Sequence, residues 1–437
     1  MAAPNNVLVN VQTYAKAELA WLLNSYCIIQ QTNKKFKDFN TSAPMNLGDT
    51  ITYDLAPRFI PFNGLVITQQ PSQQRLQALA VTQAYNISAG YTDQQFIFNV
   101  REYMDRFGKS ASLTLGAKVE SDVAKNMISG VTISDPQNAN FGAIQTNSGP
   151  YRFYGDGVTP INSFGQLAQA LANFRDFGAA PEKTRGFLPM TNVPSIVNSG
   201  LNQFVMNRNN EIEYTWELGR FSECDWYESN LLPTQVAGTI GNAAAPNNVI
   251  TVVSVNDPTG QNVTSITFTE PTSGTSAVAM LPGDMFQFND GVSGKTNLRF
   301  LTYMGYTPSQ QPVQNRATNT VASTAGTFTV NLAVPLVWAQ NANQNINTPI
   351  VAGMQATVLP THKAGMIDSG DQFYLAMPTL PDQEPFSTVS EMDKESGASI
   401  RHYWGVQFGQ NVRSYVRDEI HGSTLNQDNS MRLIFPV

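Results

Sequence analysis

The sequence predicts an α+β chain of several domains, with a β-rich block set into a mixed unit. Three observations predict it. Residues 101–127, REYMDRFGKSASLTLGAKVESDVAKNM, form the longest helix-like stretch. Much of the rest reads as short alternating runs bounded by Gly, Pro, Asn and Ser. From about residue 236 to 358 helical periodicity disappears and charges become sparse.

Taken in order, Val11, Tyr14, Ala15, Leu19, Leu22 and Leu23 define a short amphipathic helix within residues 11–31. The basic cluster Lys34, Lys35 and Lys37 follows it, so a surface helix with a solvated charged end is expected. In LGDTITYDLAPRF the residues Ile51, Tyr53 and Leu55 alternate with polar ones; in LAVTQAYNISAGYT the residues Val81, Tyr85, Ile87 and Ala89 share one parity. Pro57, Pro61, Asn63, Gly64 and Pro71 lie between these strands, turn chemistry spread over more residues than a tight hairpin uses. Residues 33–98 therefore read as a long β-arm.

The long helix starts at Asn99, with Glu102 three residues on as in a capping box, and stops at Gly130. Its apolar residues recur every fourth position: Tyr103, Phe107, Ala111, Leu115, Val119, Val123 and Met127. Each step of four advances the stripe by about 40°, so the two ends bury nearly opposite faces. Glu102 with Arg106 and Lys118 with Asp122 each add about 0.2 to 0.5 kcal/mol. Gly108 and Gly116 oppose this at about 1 kcal/mol each relative to Ala, and mark one bent helix or two shorter ones.

Further on, SFGQLAQALANF puts Phe164, Leu167, Ala168, Leu171 and Phe174 on one helical face, and SIVNSGLNQF makes a short helix stopped at Gly200. The runs NVITVVSV, SITFTE, DMFQF, TFTVNL and ATVLP then give the short strands of a barrel or sandwich. Mixed character resumes with QFYLAMPTL, IRHYWGVQF and the closing RLIFPV.

Composition narrows the function classes. Charged residues are 14% of the chain, so its surfaces are polar but weakly charged, and a net charge of -7 argues against a basic nucleic-acid groove. Cys27 and Cys224 are too few for a disulfide framework and fit a reducing compartment. No basic segment precedes an apolar run at the start, and no uninterrupted apolar stretch approaches about 18 residues, so neither an export signal nor a membrane span is expected.

Reactive constellations are hard to find. NDGVSGKT, residues 289–296, ends like a phosphate-binding loop but has Asn289 in place of Gly and is followed by the strand-like NLRFLTYMG, not a helix. His362, His402 and His421 fit no metal-ligand spacing and read as structural. Cys224, in a half-buried strand or turn ECDWY, needs a distant His to be a nucleophile. Glu211 with Glu213, or Asp225 with Glu228, lack the contrasting environments of an acid and base pair. No catalytic, cofactor or metal residue is assigned, and the chain reads as a non-enzyme.

A β-arm of this length exposes polar edges that need a partner. The order of elements, with GKSASLTLGAKVESDVAKNM, SFGQLAQALANF, RGFLPMTNVPSIVNSGL, ELGRFSECDWYESNLLPT, LPGDMFQFN, DQFYLAMPTLP and SIRHYWGVQ, resembles the major capsid (coat) protein of tailed double-stranded DNA bacteriophages. The resemblance is to the short-tailed Salmonella-phage type with an inserted β-barrel domain, and covers most of residues 90–410. It implies the Hong Kong phage capsid fold: 1–32 as N-terminal arm, 33–98 as E-loop, 99–139 as P-domain with the spine helix, 140–235 as A-domain. It further implies 236–358 as the inserted barrel, 359–400 as the A-domain return and 401–437 as P-domain return strands.

The same resemblance implies self-assembly into pentamers and hexamers of an icosahedral shell, with scaffolding and portal proteins and in some cases a decoration protein as partners. DNA is enclosed without sequence-specific binding, no cofactor is used, and assembly is in the host bacterial cytoplasm. Lys34, Lys35, Asp54, Arg58, Arg101 and Asp105 are the candidate subunit-interface residues. Shells of this subgroup hold together without Lys–Asn cross-links. A different virion protein (tail or decoration) and a β-rich polysaccharide-degrading hydrolase are the alternatives that share the low charge and many strands.

Overall fold

The computed structural model describes residues 11–24, 26–33, 50–55, 75–92, 108–128, 149–178, 183–198, 217–271, 278–289, 297–303, 305–323, 326–340, 343–370, 373–381, 387–393, 398–406 and 412–437. Its helices are α1 (Val11–Asn24), α2 (Cys27–Gln31), α3 (Lys109–Ala124), α4 (Phe164–Asp176) and α5 (Val193–Asn198). The single N-terminal helix expected over 11–31 is two, because Tyr26 between them is extended at φ -133° and ψ 143°. Helix α1 buries one face, with Ala15, Leu19, Leu22 and even Glu18, and exposes Lys16 and Ala20 on the other.

Most strands belong to two core sheets and a separate β block. The first core sheet runs Phe373–Ala376, Val412–Leu425, Ser399–Val406, Ser387–Met392, and Gln83–Thr92 also pairs with Val412–Leu425. This pairing corrects the arm. Thr50–Leu55 pairs with Arg75–Ala80 as a two-stranded ribbon, whereas Gln83–Thr92 lies along residues 412–421. A tight fit fixes the change of partner: a Cβ on Gly422 would sit 2.2 Å from the Ala80 carbonyl oxygen. The outer edges of the ribbon are unpaired among the described residues.

The second core sheet has the order Phe153–Tyr154, Ser430–Pro436, His362–Ser369, Thr184–Pro189, Cys224–Ser229, Glu217–Phe221, with Thr234–Gln235 also on His362–Ser369. Its central strands are buried on both faces, as continuous apolar runs require. One face packs Leu188, Trp226, Ile367, Leu433 and Phe435 under α4. The other presents Phe187, Tyr227 and Met366 to α2 and α3. Trp226 fits because residue 186 is Gly, where a Cβ would come within 2.3 Å of the indole. On α4 the Ser163 hydroxyl accepts from Gln166 N–H while Gln166 Oε1 accepts from Asn162 N–H, closing the helix start.

Between Gln235 and His362 the chain forms a six-stranded antiparallel sheet ordered Gln314–Arg316, Met285–Phe288, Gln355–Val358, Val249–Val255, Val263–Thr269, Thr327–Leu336. It is a nearly closed barrel. Ala317 bridges Leu332 across the gap, and Asn315 extends the closure by donating to Val334 O at 2.8 Å and accepting from Ala333 N–H at 3.2 Å. Phe268, Phe286, Phe288 and Phe328 fill the interior, with Phe268 and Phe286 edge to face at 5.6 Å. All five β runs read from the sequence are strands here, and Arg299–Leu301 is the strand expected after residue 296. Residues 290–296 of the candidate phosphate loop lie outside the described residues.

Helix α3 runs unbroken through Gly116 and ends in a 3-10 turn, Lys125–Met127. Leu115, Val119, Val123 and Met127 are buried as the four-residue repeat requires, and Ser112, Gly116, Glu120 and Ala124 form a second buried column beside them. Asn99, Tyr103, Phe107 and Gly130 lie outside the described residues. The helix is not interrupted at Gly116. A Cβ there would lie 2.8 Å from the Tyr26 ring, and a Cβ on Gly108 would lie 2.9 Å from Glu18 Oε1. Both glycines admit the N-terminal helices to the surface of α3.

Gly116→Ala therefore destabilises the chain by up to about 2 kcal/mol, because overpacking of about 1 to 3 kcal/mol offsets or exceeds the helix-propensity gain of about 1. Gly165→Ala, whose Cβ meets nothing closer than 3.9 Å, is neutral or stabilising by up to about 1 kcal/mol. Denaturant midpoints of the two variants check this contrast.

Candidate functional site

Buried charge concentrates at two seams. The first lies between α1, α3 and the first core sheet. Glu18 accepts from Arg417 Nε at 2.6 Å and Nη2 at 2.9 Å, a two-point pair with both side chains about 1% exposed. Such a pair is weak evidence of net stabilisation, but removing one partner costs about 3 to 5 kcal/mol. His402 Nδ1 lies 2.7 Å from the Tyr415 hydroxyl and 3.5 Å from Glu18 Oε2. Burial and the neighbouring Arg417 lower its pKa to about 3, so the ring is neutral and its approach to Glu18 is not an ion pair.

Along the same sheet face, Asp122 of α3 accepts from Tyr85 and Lys125, and lies 3.5 Å from Lys118 as the i,i+4 pairing predicts. Burial opposes its charge, but these partners hold its pKa below the usual carboxylate range. For buried His421, Glu419 at 3.1 Å and Asp122 outweigh burial and raise its pKa. Glu120 points the other way, into α2, and accepts from the N–H groups of Ile28 and Ile29 at 3.0 Å. Burial raises its pKa to about 7 against the effect of those amides.

The second seam joins the end of α3, the β block and the second core sheet around Arg432, which is fully buried. Its Nε donates to Met127 O at 2.8 Å, Nη1 to Gly283 O at 3.1 Å, and Nη2 to Ile128 O. Nη1 also lies 3.3 Å from His362 Nε2, while His362 Nδ1 is 2.7 Å from Pro360 O. A carbonyl only accepts, so the proton sits on Nδ1 and Nε2 receives the Arg432 bond. Burial and Arg432 lower the pKa of His362 to about 3, consistent with that neutral ring. Asp284 accepts from Leu281 and Gly238 N–H and from Gln235 Nε2, all within 2.9 Å, yet burial lifts its pKa to about 6. Arg316 donates to Gly149 O at 3.2 Å.

These groups bind one another and backbone, a pattern that locks segments together. Cys224 is buried, and burial first and then Asp368 and Asp225 raise its thiol well above the ordinary range. Asp225 faces Arg220 at 3.7 Å, and burial raises Glu228. Among the described residues no three His, Cys, Asp or Glu groups are placed to hold a metal ion, and no helix is long and apolar enough to cross a membrane.

Of the candidate interface residues, Asp54 lies in the ribbon opposite Leu76. Lys34, Lys35, Arg58, Arg101 and Asp105 lie outside the described residues, as do Lys37, Glu102, Arg106, Gly200, Glu211 and Glu213. Sequence reasoning passed over Glu18, Glu120, Arg417 and Arg432. A lone charge inside an apolar stretch marks two of them: Glu18 in AELAWLL and Arg432 in MRLIFPV.

Two predictions arise here. Arg432→Met leaves the Met127, Ile128 and Gly283 carbonyls without their donor, so stability falls by about 3 kcal/mol or more, and proteolysis within 236–358 accelerates. His402 has a folded pKa of about 3 against 6.5 unfolded, so the unfolded chain binds more protons below pH 6.5. Its contribution is complete above pH 6.5 and is lost as the pH falls toward 3, amounting to up to about 4 kcal/mol. His402→Gln flattens that part of the acid-unfolding curve relative to the parent, which denaturant titrations at pH 4 and 7 measure.

No protein-family model matches the chain, and no curated protein matches it in sequence. Solved structures similar to it include the capsid of Ralstonia phage GP4, at 7% identity and a TM-score of 0.43 over 91% of this chain and 86% of that one. The capsid of the cyanophage P-SCSP1u aligns at 10% identity and a TM-score of 0.37 over 90% and 85% of the two chains. The head structure of Helicobacter pylori bacteriophage KHP40 aligns at 7% identity and a TM-score of 0.37 over 89% and 83%.

Proposed function

We propose that this chain is a major capsid protein that assembles, as pentamers and hexamers, into an icosahedral shell around double-stranded phage DNA. The observation that carries the reading is the ribbon Thr50–Leu55 with Arg75–Ala80. Its base is anchored through Leu79 and Val81 against Ile420, while its outer edges are unpaired among the described residues. A ribbon fixed at one end with open edges is suited to adding its strands or side chains to a neighbouring copy. Asp54 on the ribbon, and Lys34, Lys35, Arg58, Arg101 and Asp105 nearby in sequence, are the proposed interface charges.

The order of sequence segments supports the same reading, as does a near-closed barrel set between adjacent strands of the second core sheet. In this proposal the E-loop is the part of 33–98 that carries the ribbon Thr50–Leu55 with Arg75–Ala80, 99–139 holds the spine helix and 236–358 is the inserted domain. A scaffolding protein guides assembly in the host cytoplasm, a portal occupies one vertex, and a decoration protein is an optional outer partner. With a net charge of -7 the chain encloses DNA instead of gripping its phosphates.

Electron microscopy of the chain expressed with a candidate scaffolding protein tests the proposal. Closed shells or ring-like capsomers are expected, with a band near 47.8 kDa on denaturing electrophoresis of the particles. Tubes, isolated trimers or persistent monomers would overturn it.

A further inference from the structure

Six large apolar side chains are exposed among the described residues: Val158, Met190, Val236, Val253, Val351 and Val437. Scattered singly they would need no explanation, but a gathered set marks a contact surface. Four of them gather at one end of the second core sheet. Val236 and Val437 each stand one residue past Gln235 and Pro436, the partners of His362 on its two sides. Val158 follows Phe153–Tyr154, which runs parallel to Ser430–Pro436, and a Cβ on Gly157 before it would lie 2.8 Å from Pro360 Cγ. Met190 follows Thr184–Pro189, which is antiparallel to His362–Ser369 and so ends on the same side. With Val437 84% and Val158 74% exposed, this end of the sheet is open to solvent.

The remaining two lie together on the β block. Gln355 pairs with Thr251, which brings Val253 toward the turn Val351–Met354; there Gly353 N–H donates to Val252 O at 2.9 Å and Met354 N–H to Val351 O at 3.2 Å. That turn is far from the root of the block. Val249 pairs with Thr357, close to where the chain returns to His362, and Val253 is about 13 Å farther along its strand. Both patches are exposed in the folded chain, so neither covers the other.

Each patch is a few side chains wide, well short of the about 800 Å² per partner of an interface that is stable by itself. A lone foreign protein would not be held by it. A second copy is, because other contacts of a self-assembling chain keep the copies together and each copy brings both patches. Charge does not oppose such a contact. Lys363 and Asp156 border the sheet end, and Asp257 borders the β-block patch, with both carboxylates accepting from amides of their own loops.

We propose that the sheet end carrying Val158, Val236 and Val437 docks on the Val253 and Val351 face of the β block of a neighbouring copy. The inference rests on the self-assembly in the capsid reading and adds a contact separate from the ribbon Thr50–Leu55 with Arg75–Ala80. It is head to tail: two different surfaces meet, so the contact repeats from copy to copy until a ring closes.

Cross-linking of the assembled full-length chain tests it. In the double variant Val351→Cys with Val437→Cys, a flexible bismaleimide is expected to join chains into a ladder of dimers, trimers and longer species. Cys27 and Cys224 are buried and give no background. Val351→Cys alone and Val437→Cys alone should form dimers on the order of 100-fold more slowly, because their thiols lack a docked partner at high effective concentration. Mixing the two single variants before assembly should restore the dimer band, and answers the question even if the double variant failed to fold. Dimers from Val437→Cys alone at the rate of the mixture, a link closed within one chain, or closed shells without a ladder would overturn the contact. Tubes in place of shells, with the ladder intact, would overturn the capsid reading and leave the contact standing. Persistent monomers would overturn both.

Discussion

Arg432 meets three parts of the chain with one side chain. Its guanidinium reaches the last turn of α3 at Met127 and Ile128, the β block at Gly283, and the His362–Ser369 strand at His362, from its own place in the closing strand. Those carbonyls end a helix and line a turn, where backbone groups lack ladder partners and a buried donor is needed. Burial and the nearby Arg316 depress the Arg432 pKa well below its ordinary value, and Asp284 offsets part of this. This one donor ties the helix, the β block and the second core sheet together. Neutral His362 follows from burial first, and then from this guanidinium, beside which a second positive charge is disfavoured.

How much of this was legible depended on the range of the interaction. Short strands of the β block could be read because alternation and turn residues are local, and α4 because its stripe and the Ser163 cap lie within a few residues. The split of Arg75–Ala80 from Gln83–Thr92 was not legible, since the second strand takes its partner from residues 412–421. The break at Tyr26 was missed for a similar reason. What caps α2 is a carboxylate at position 120, remote in sequence. Of the candidate site residues only Asp54 is among the described residues, in the ribbon opposite Leu76.

Helix α3 shows how a misleading sequence feature acquires a cause. Glycine in a helix interior lowers propensity, and two of them invite a break. Packing outweighs that here: α1 and Tyr26 approach so closely that a methyl group would collide. The buried Ser112, Gly116, Glu120 and Ala124 column is small or polar for the same reason, since it faces helix backbone as well as side chains. The Leu115, Val119, Val123 and Met127 column supplies apolar burial beside it. One helix thus carries an adhesive row and a spacer row side by side.

The chain leaves and rejoins the second core sheet at neighbouring positions. Gln235 and His362 are direct partners across an antiparallel pair, so their Cα atoms are separated by about 4.5 to 5.5 Å. Such a gap is also spanned by a two-residue hairpin turn. To the parent sheet, everything between them is equivalent to a long turn, whose closure entropy grows only with the logarithm of its length. The strand order of the second core sheet is therefore independent of the length of chain between Gln235 and His362.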